Sequence, residues 1–274
     1  MSRKWEKEYK RHLEDENLSE VEIGKILEKY RPKKIYRYMR FDDYWEKNIF
    51  EGQTYLSEAS KLNDPFDCLV YINHDIFAKH VFQMLYEIFP YTNRKLLQET
   101  AKVSITSKLD EYLYNMKSQF RIACFTENND SPLMWAHYAD NHRGFCMEYD
   151  LTKLPEGYRC SILPVIYSNS RYDATRLVVA KNKNLVTNPF YFKSSHWEYE
   201  KEWRMMILES IVTDNEYYAD FFKGISGIYL GLRSFESHKE KIDRIIEKYS
   251  QRNIPVYKIV IEPSCYRMKS IQIN

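Results

Sequence analysis

Glycine is scarce, cysteine is unpaired and charge of neither sign dominates, and each shortage removes a class of function. The seven glycines in 274 residues form neither GxxxxGK[ST] nor GxGxxG. No glycine-rich loop is therefore available to cradle phosphates, and the P-loop, kinase and Rossmann readings fall. The five cysteines, Cys68, Cys124, Cys146, Cys160 and Cys265, are odd in number and have no CxxC spacing. They read as buried thiols in a reducing cytoplasm, and no metal signature accompanies them. The seven histidines contain no HExxH, so no metal centre is expected from spacing. With 41 basic and 39 acidic residues, net +2, there is no global footprint for nucleic acid, although a local groove stays open. No apolar run is long enough to span a bilayer, and the N-terminus, "MSRKWEKEYKRHLEDENL", lacks the apolar core of a signal peptide. The expectation is a cytoplasmic protein with no membrane partner.

What is present describes a folded chain. Hydrophobic residues make up 44% and charged residues 29%, ordinary for a globular protein. Aromatic residues reach 16%, with 24 Tyr, which supplies flat, half-polar surface for lining a pocket or filling a core. No internal period suggests a repeat array.

The pattern predicts an α+β fold of mixed, mostly antiparallel short-strand sheets with flanking helices. Residues 1–33 read as an N-terminal helical arm, its second helix opened by Ser19 with Glu22 in a capping box. Residues 34–274 read as a single domain with a helical insertion at about 75–117. "KIYRYM" and "FRIACFTE" are strand-like in content. "FDDYWEKNIFEG" reads as a helix stopped by Gly52, followed by a strand through Tyr55. "SPLMWAHYAD" reads as a helix with Ser131 at its N-cap and Pro132 in its first turn. Further strands are expected at about Tyr158 to Tyr167, and a helix over roughly Asp173 to Asn184. At the end, "GISGIYLGLRS", a helix from about Phe235 to Tyr249 and "IPVYKIVIE" form a strand, helix, strand unit.

Four features carry chemistry. Arg37 sits mid-strand between Tyr36 and Tyr38, where a buried charge is costly unless paired; a structural ion pair with a carboxylate is its bland explanation. Asp64 lies in the rigid turn "NDPFD". "FTENNDSPLMWAHYADNHRGFCMEYD" gathers Trp135, His137, Tyr138, His142 and Arg143 near two strands; for Trp135 and Tyr138 alone, core packing is the plainer account. In "WEYEKEWRMMI", strand periodicity puts Glu198, Glu200 and Glu202 on one face with Arg204. Either these glutamates are a solvated edge, or burial and mutual repulsion raise one pKa and make a base.

The blocks "IYRYM", "LNDPFD", "CFTENNDSPLMWAHYADNHRGFCMEYD" and "WEYEKEWRM", in that order, resemble the bacterial domain-of-unknown-function family twenty-nine seventy-one, which carries no assigned activity. A weaker resemblance reaches the DNA-modifying ADP-ribosyltransferase toxins through "IYRYMRFDDYWEKNIFEGQTYLS", "CFTENNDSPLMW" and a Glu-x-Glu heading an apolar strand. The chain departs from those toxins in having Arg at the first motif and no clear Ser-x-Ser strand. That resemblance implies NAD as substrate, held by Arg37 with Tyr36, Tyr38 and His137 beside it, and Trp135 or Tyr138 stacking on nicotinamide. It implies Glu202 as the carboxylate that stabilises the oxocarbenium-like transition state and Glu200 as the group that orients or deprotonates the acceptor, with Asp64, Arg143 and Arg204 as further site candidates. The implied setting is a toxin or phage-defence effector acting on nucleic acid or protein, with a neutralising partner protein. NAD hydrolysis without transfer, a non-catalytic nucleotide or partner-binding module, and a metal-dependent nuclease using Asp64, Glu148, Asp150, Glu200, Glu202 and Lys193 are the alternatives.

Overall fold

The computed structural model describes residues 5–182, 187–209 and 217–274. Its centre is a mixed sheet in the order Met268–Gln272, Val256–Ile261, Ile225–Leu230, Phe145–Asp150, Lys34–Met39, Phe120–Thr126, Glu202–Leu208, Ile162–Pro164, with Ser57–Glu58 also laid against Phe120–Thr126. The pairings are antiparallel except that between Ile225–Leu230 and Val256–Ile261. That parallel pair is joined through the helix Lys239–Gln251, the crossover such pairing requires. The fold is α+β.

Both faces of the sheet are covered at its centre, so Phe120–Thr126 and the start of Glu202–Leu208 are buried on both sides. On Glu202–Leu208, Trp203 and Met205 enter one core with Ile242, Ile245 and Tyr249 of the crossover helix. Met206, one residue out of phase, enters a second core containing Trp5, Tyr9, Leu13, Ile23 and Leu27. The N-terminal helices, Glu6–Leu13 and Glu20–Ile26, therefore lie packed on the sheet. Ser19 makes the expected capping box with Glu22. Gly24 of the second helix meets the helix Glu156–Ser161 so closely that a Cβ there would sit 1.8 Å from the Cys160 carbonyl oxygen. Backbone cannot yield as a side-chain tip can. Gly24→Ala is accordingly expected to destabilise the protein by at least about 1–3 kcal/mol; an unaltered thermal midpoint would mean that the helices part freely.

The sequence and the structure differ at several places. The stretch before Gly52 is a short π-helical turn, Lys47–Glu51, rather than a regular helix, although Gly52 ends it at φ 68°. The strand expected from Tyr158 begins as the helix Glu156–Ser161 and becomes extended only at Ile162. The helix expected over Asp173 to Asn184 is confined to Thr175–Val179, and its last two positions lie outside the described residues. Helices His74–Ile88 and Arg94–Ser118 occupy the 75–117 stretch. Cys68, Cys146 and Cys160 are buried, whereas Cys265 is exposed. Among the described residues no helix is long and apolar enough to cross a membrane.

Candidate functional site

The sheet forks beside the Lys34–Met39 strand. That strand matches Phe145–Asp150 over six positions but touches Phe120–Thr126 in one, Tyr36 opposite Thr126. Past that point the two edges separate. A cleft of about 290 Å³ opens there, walled by Arg37 and Tyr38 on one side, Cys124 on the other, and Lys193, Glu200 and Glu202 at its charged end.

Arg37 is bound on one side only. Its Nη2 donates to the Tyr55 carbonyl at 2.7 Å, whereas Nη1 is sealed from solvent without a hydrogen-bond partner. Among the described residues no carboxylate pairs with it, so the structural ion pair that would have been its bland explanation is not found among them. Its guanidinium lies 5.8 Å from the Phe125 ring centroid. Burial lowers its pKa, as expected for a cation taken from water without a counter-charge. An unpaired buried donor costs about 1–3 kcal/mol. Arg37→Met should therefore leave the fold as stable as the parent or raise its thermal midpoint, and a clear loss of stability would count against the arginine being uncompensated.

The charged end is a network of three carboxylates and two cations. Lys193 Nζ lies 2.6 Å from Glu200 Oε2, 3.0 Å from Glu202 Oε2 and 3.5 Å from Asp67 Oδ2. Arg204, fully buried, forks onto Asp67 with contacts of 2.9 and 2.6 Å. The same guanidinium reaches Glu202 at 2.7 and 3.0 Å and gives a further bond to the Phe190 carbonyl. A planar fork with donors on both edges can bridge two carboxylates in this way; lysine cannot. Glu200 also accepts from the Tyr138 hydroxyl at 2.6 Å, and Asn63 donates to that same hydroxyl at 3.2 Å.

The two glutamates arrive from different local structures. Strand alternation does not extend back to Glu198: Ser195–Glu200 is a 3-10 turn, Lys201 adopts φ 44°, and the strand begins at Glu202. Glu202 and Arg204 share the expected strand face, Glu198 is exposed, and Glu200 reaches Lys193 from the turn.

Their electrostatics diverge. Burial raises the pKa of Glu200, the Glu202 charge raises it further, and Lys193 opposes only in part, so the carboxyl is pushed up to about 7. Burial would raise Glu202 too, but Arg204 and Lys193 outweigh it and hold that group well below the ordinary carboxylate range. Burial would lower Lys193, yet the surrounding carboxylates raise it. The cleft thus contains one group that titrates near neutrality and one that stays ionised. Because Glu200 binds its proton more tightly folded than unfolded, its contribution to stability is full below its ordinary value of 4.5 and is lost as pH rises through about 7. Glu202 has the opposite sign: its contribution is full above its ordinary value of 4.5 and is lost progressively as pH falls below it. Cys124, beside them, has its thiol pKa raised by burial and by Glu202, which keeps it protonated and a poor nucleophile.

The other sequence candidates divide. Tyr36, Tyr38 and Tyr138 line the cleft. Trp135 does not: it is 0% exposed, packs edge-on against Tyr38 at 5.0 Å and donates its indole N–H to the Asn129 carbonyl, so it has no free face for a ligand. His137 is exposed near the Trp197 ring, outside the wall. Asp64 is buried in its own turn, accepting the Phe66 N–H; Asp67, three residues on, is the carboxylate that enters the network. Asp140, Asn141 and His142 hold φ of 47°, 52° and 69°, and after this left-handed turn Arg143 meets Asp140 at 3.7 Å away from the cleft lining. Glu148 is tied to Lys34, Ser226 and Tyr229, and Asp150 caps the turn at Thr152. The acids of the nuclease reading are therefore dispersed. Those that do converge surround an ammonium, and among the described residues no group of three or more His, Cys, Asp or Glu is placed to hold a metal ion.

A family model described as "Protein of unknown function (DUF2971)" matches residues 134–205. The match runs from within the Pro132–Tyr138 helix through Lys193, Glu200 and Glu202 to just past Arg204, in agreement with the family resemblance read from the sequence over that stretch. No curated protein and no solved structure matches the chain.

Proposed function

We propose that the cleft binds NAD and breaks its nicotinamide N-glycosidic bond, passing ADP-ribose to an acceptor on nucleic acid or protein, or to water. The observation that carries this reading is that a half-buried arginine with a sealed, unpartnered Nη1 and a carboxyl pushed up to about 7 line the same cleft. A diphosphate supplies what Arg37 lacks, and Arg40 in the wall adds further positive charge. The volume is at the low end for small-ligand sites, roughly 300–1,000 Å³. It suits the nicotinamide ribose and adjoining phosphates, with the adenosine running outward.

In the reaction, the electron pair of the C–N bond leaves with nicotinamide, neutralising its ring nitrogen, and positive charge develops on the ribose. Three carboxylates against two cations give the network a formal charge of −1 when Glu200 is ionised, which stabilises that charge. As the acceptor attacks C1′, its proton passes to Glu200. Glu202 accepts two bonds from Arg204 and one from Lys193, leaving little free capacity among the roughly four lone-pair sites of a carboxylate. Its role is to hold Lys193 and the network's charge in place, while Glu200 keeps free acceptor capacity toward a ligand.

Incubating the protein with nicotinamide-labelled NAD, with and without nucleic-acid and protein acceptors, tests the proposal. Release of nicotinamide with transfer supports a transferase, and release without transfer a hydrolase. Intact NAD, or release that Glu202→Gln and Glu200→Gln leave unchanged, would sink it. The near-saturation of Glu202 favours one second reading, a nucleotide-binding module without turnover; saturable NAD binding with no nicotinamide release selects it.

A further inference from the structure

A second cavity, of about 180 Å³, shares Lys193 with the cleft. The turn containing "NDPFD" contributes to both: Asn63 and Asp67 line the cleft, whereas Phe66 lines the second chamber. Most of the rest of the chamber comes from two parallel paired strands, Ile166–Ser168 and Phe192–Ser194, and the loop that follows the first, with Leu69 and Tyr172 completing it. Their register makes Ser168 and Ser194 cross-strand neighbours.

The lining is rich in donors. Ser168 Oγ accepts the Ser170 N–H at 3.1 Å, which leaves its own O–H to give. The loop is tied down where Ser195 donates to Asn169. Arg171 is exposed, and among the described residues no carboxylate pairs with it. None of the described residues lining the chamber is acidic. Phe66, 64% exposed at the rim, offers a flat apolar surface that the interior does not use.

We infer that this chamber binds the phosphoryl group of a nucleotide, with Arg171 and the Ser168–Ser170 loop on the phosphate and Phe66 against the base. Arg presents a fork matched to phosphate oxygens, and aromatic rings stack on bases irrespective of sequence. The same phosphate chemistry is found in a free nucleotide and in a nucleic-acid strand. If the transfer reaction of the preceding subsection holds, this is where a nucleic-acid acceptor anchors beside the cleft, a step that rests on that reading.

The test does not require NAD cleavage. In full-length Phe66→Trp protein, tryptophan fluorescence is followed during titration with inorganic phosphate, adenosine 5′-monophosphate and a short 5′-phosphorylated single-stranded oligonucleotide. A saturable change with the mononucleotide is expected. Adding Arg171→Gln should weaken it by about tenfold or more, the scale of one charge-assisted hydrogen bond, whereas adding Arg37→Gln should leave it in place. An oligonucleotide that binds more tightly than the mononucleotide identifies a strand as the source; equal affinity identifies the free nucleotide. No saturable change with any of the three probes overturns the inference. So does a change that survives Arg171→Gln, or one that Arg37→Gln removes, since that would place the ligand in the cleft. Phe66 and Arg171 are both exposed, so neither substitution disturbs a packed core. Absence of nicotinamide release would defeat the transferase reading and leave this titration standing.

Discussion

Replacing Glu200 by Gln is expected to slow nicotinamide release by about 100- to 10,000-fold, the range that a positioned acid or base contributes, while the protein stays folded. Glutamine keeps one oxygen, for either the Tyr138 hydroxyl or the Lys193 ammonium that both bond Glu200, so one of the two contacts is kept while the titrating group is lost. With Glu200 as the base of the proposed reaction, release by the parent should rise as pH passes about 7, where the carboxyl ionises and can take the acceptor proton. The same substitution should flatten the decline in stability between about pH 4.5 and 7 that the raised carboxyl produces. Rates and denaturant midpoints measured across pH 5 to 9 on both proteins read both effects. A variant with parental rates and a parental stability profile would remove Glu200 from the mechanism.

Arg204→Met is expected to have the largest effect on stability. The guanidinium bridges Asp67 and Glu202 with no access to water, and removing it leaves two buried carboxylates facing Lys193 alone. Removing one partner of a buried ion pair typically costs about 3–5 kcal/mol. Arg204→Lys should recover only part of this, since an ammonium cannot span both carboxylates. Urea unfolding measures the cost; a loss below about 1 kcal/mol, the usual range for an exposed pair, would mean that water reaches the network.

Much of the site was legible because strand alternation is a local property. Arg37, Glu202 and Arg204 were placed by it, and Ser19 and Ser131 by their capping positions. Glu200 was singled out for the wrong reason: its spacing from Glu202 suggested a shared strand face, whereas a 3-10 turn and the positive φ of Lys201 deliver it to the same lysine. Spacing alone does not separate those two geometries. In "LNDPFDC" both aspartates are turn formers, and the path of the turn decides that Asp67 faces inward while Asp64 caps the backbone. The one sequence signal for Lys193 as the centre of the network was its isolation in the aromatic run "PFYFKSS". The fork itself was invisible, because it depends on which of two distant segments, Phe145–Asp150 or Phe120–Thr126, holds the Lys34–Met39 strand along its full length. Trp135, for which core packing was the plainer account, and Tyr138 could not be told apart for a related reason. A helix presents its residues to different neighbours, and Trp135 faces the core while Tyr138, at the helix end, reaches Glu200.

The claim that Arg37 and the glutamate network form one NAD site is tested most directly by calorimetric titration of NAD into Glu200→Gln protein, which retains the cleft but should not consume the ligand. The account predicts a single saturable site whose heat disappears when Arg37→Met is added. No binding in the Glu200→Gln protein, or binding that persists undiminished without Arg37, would contradict it.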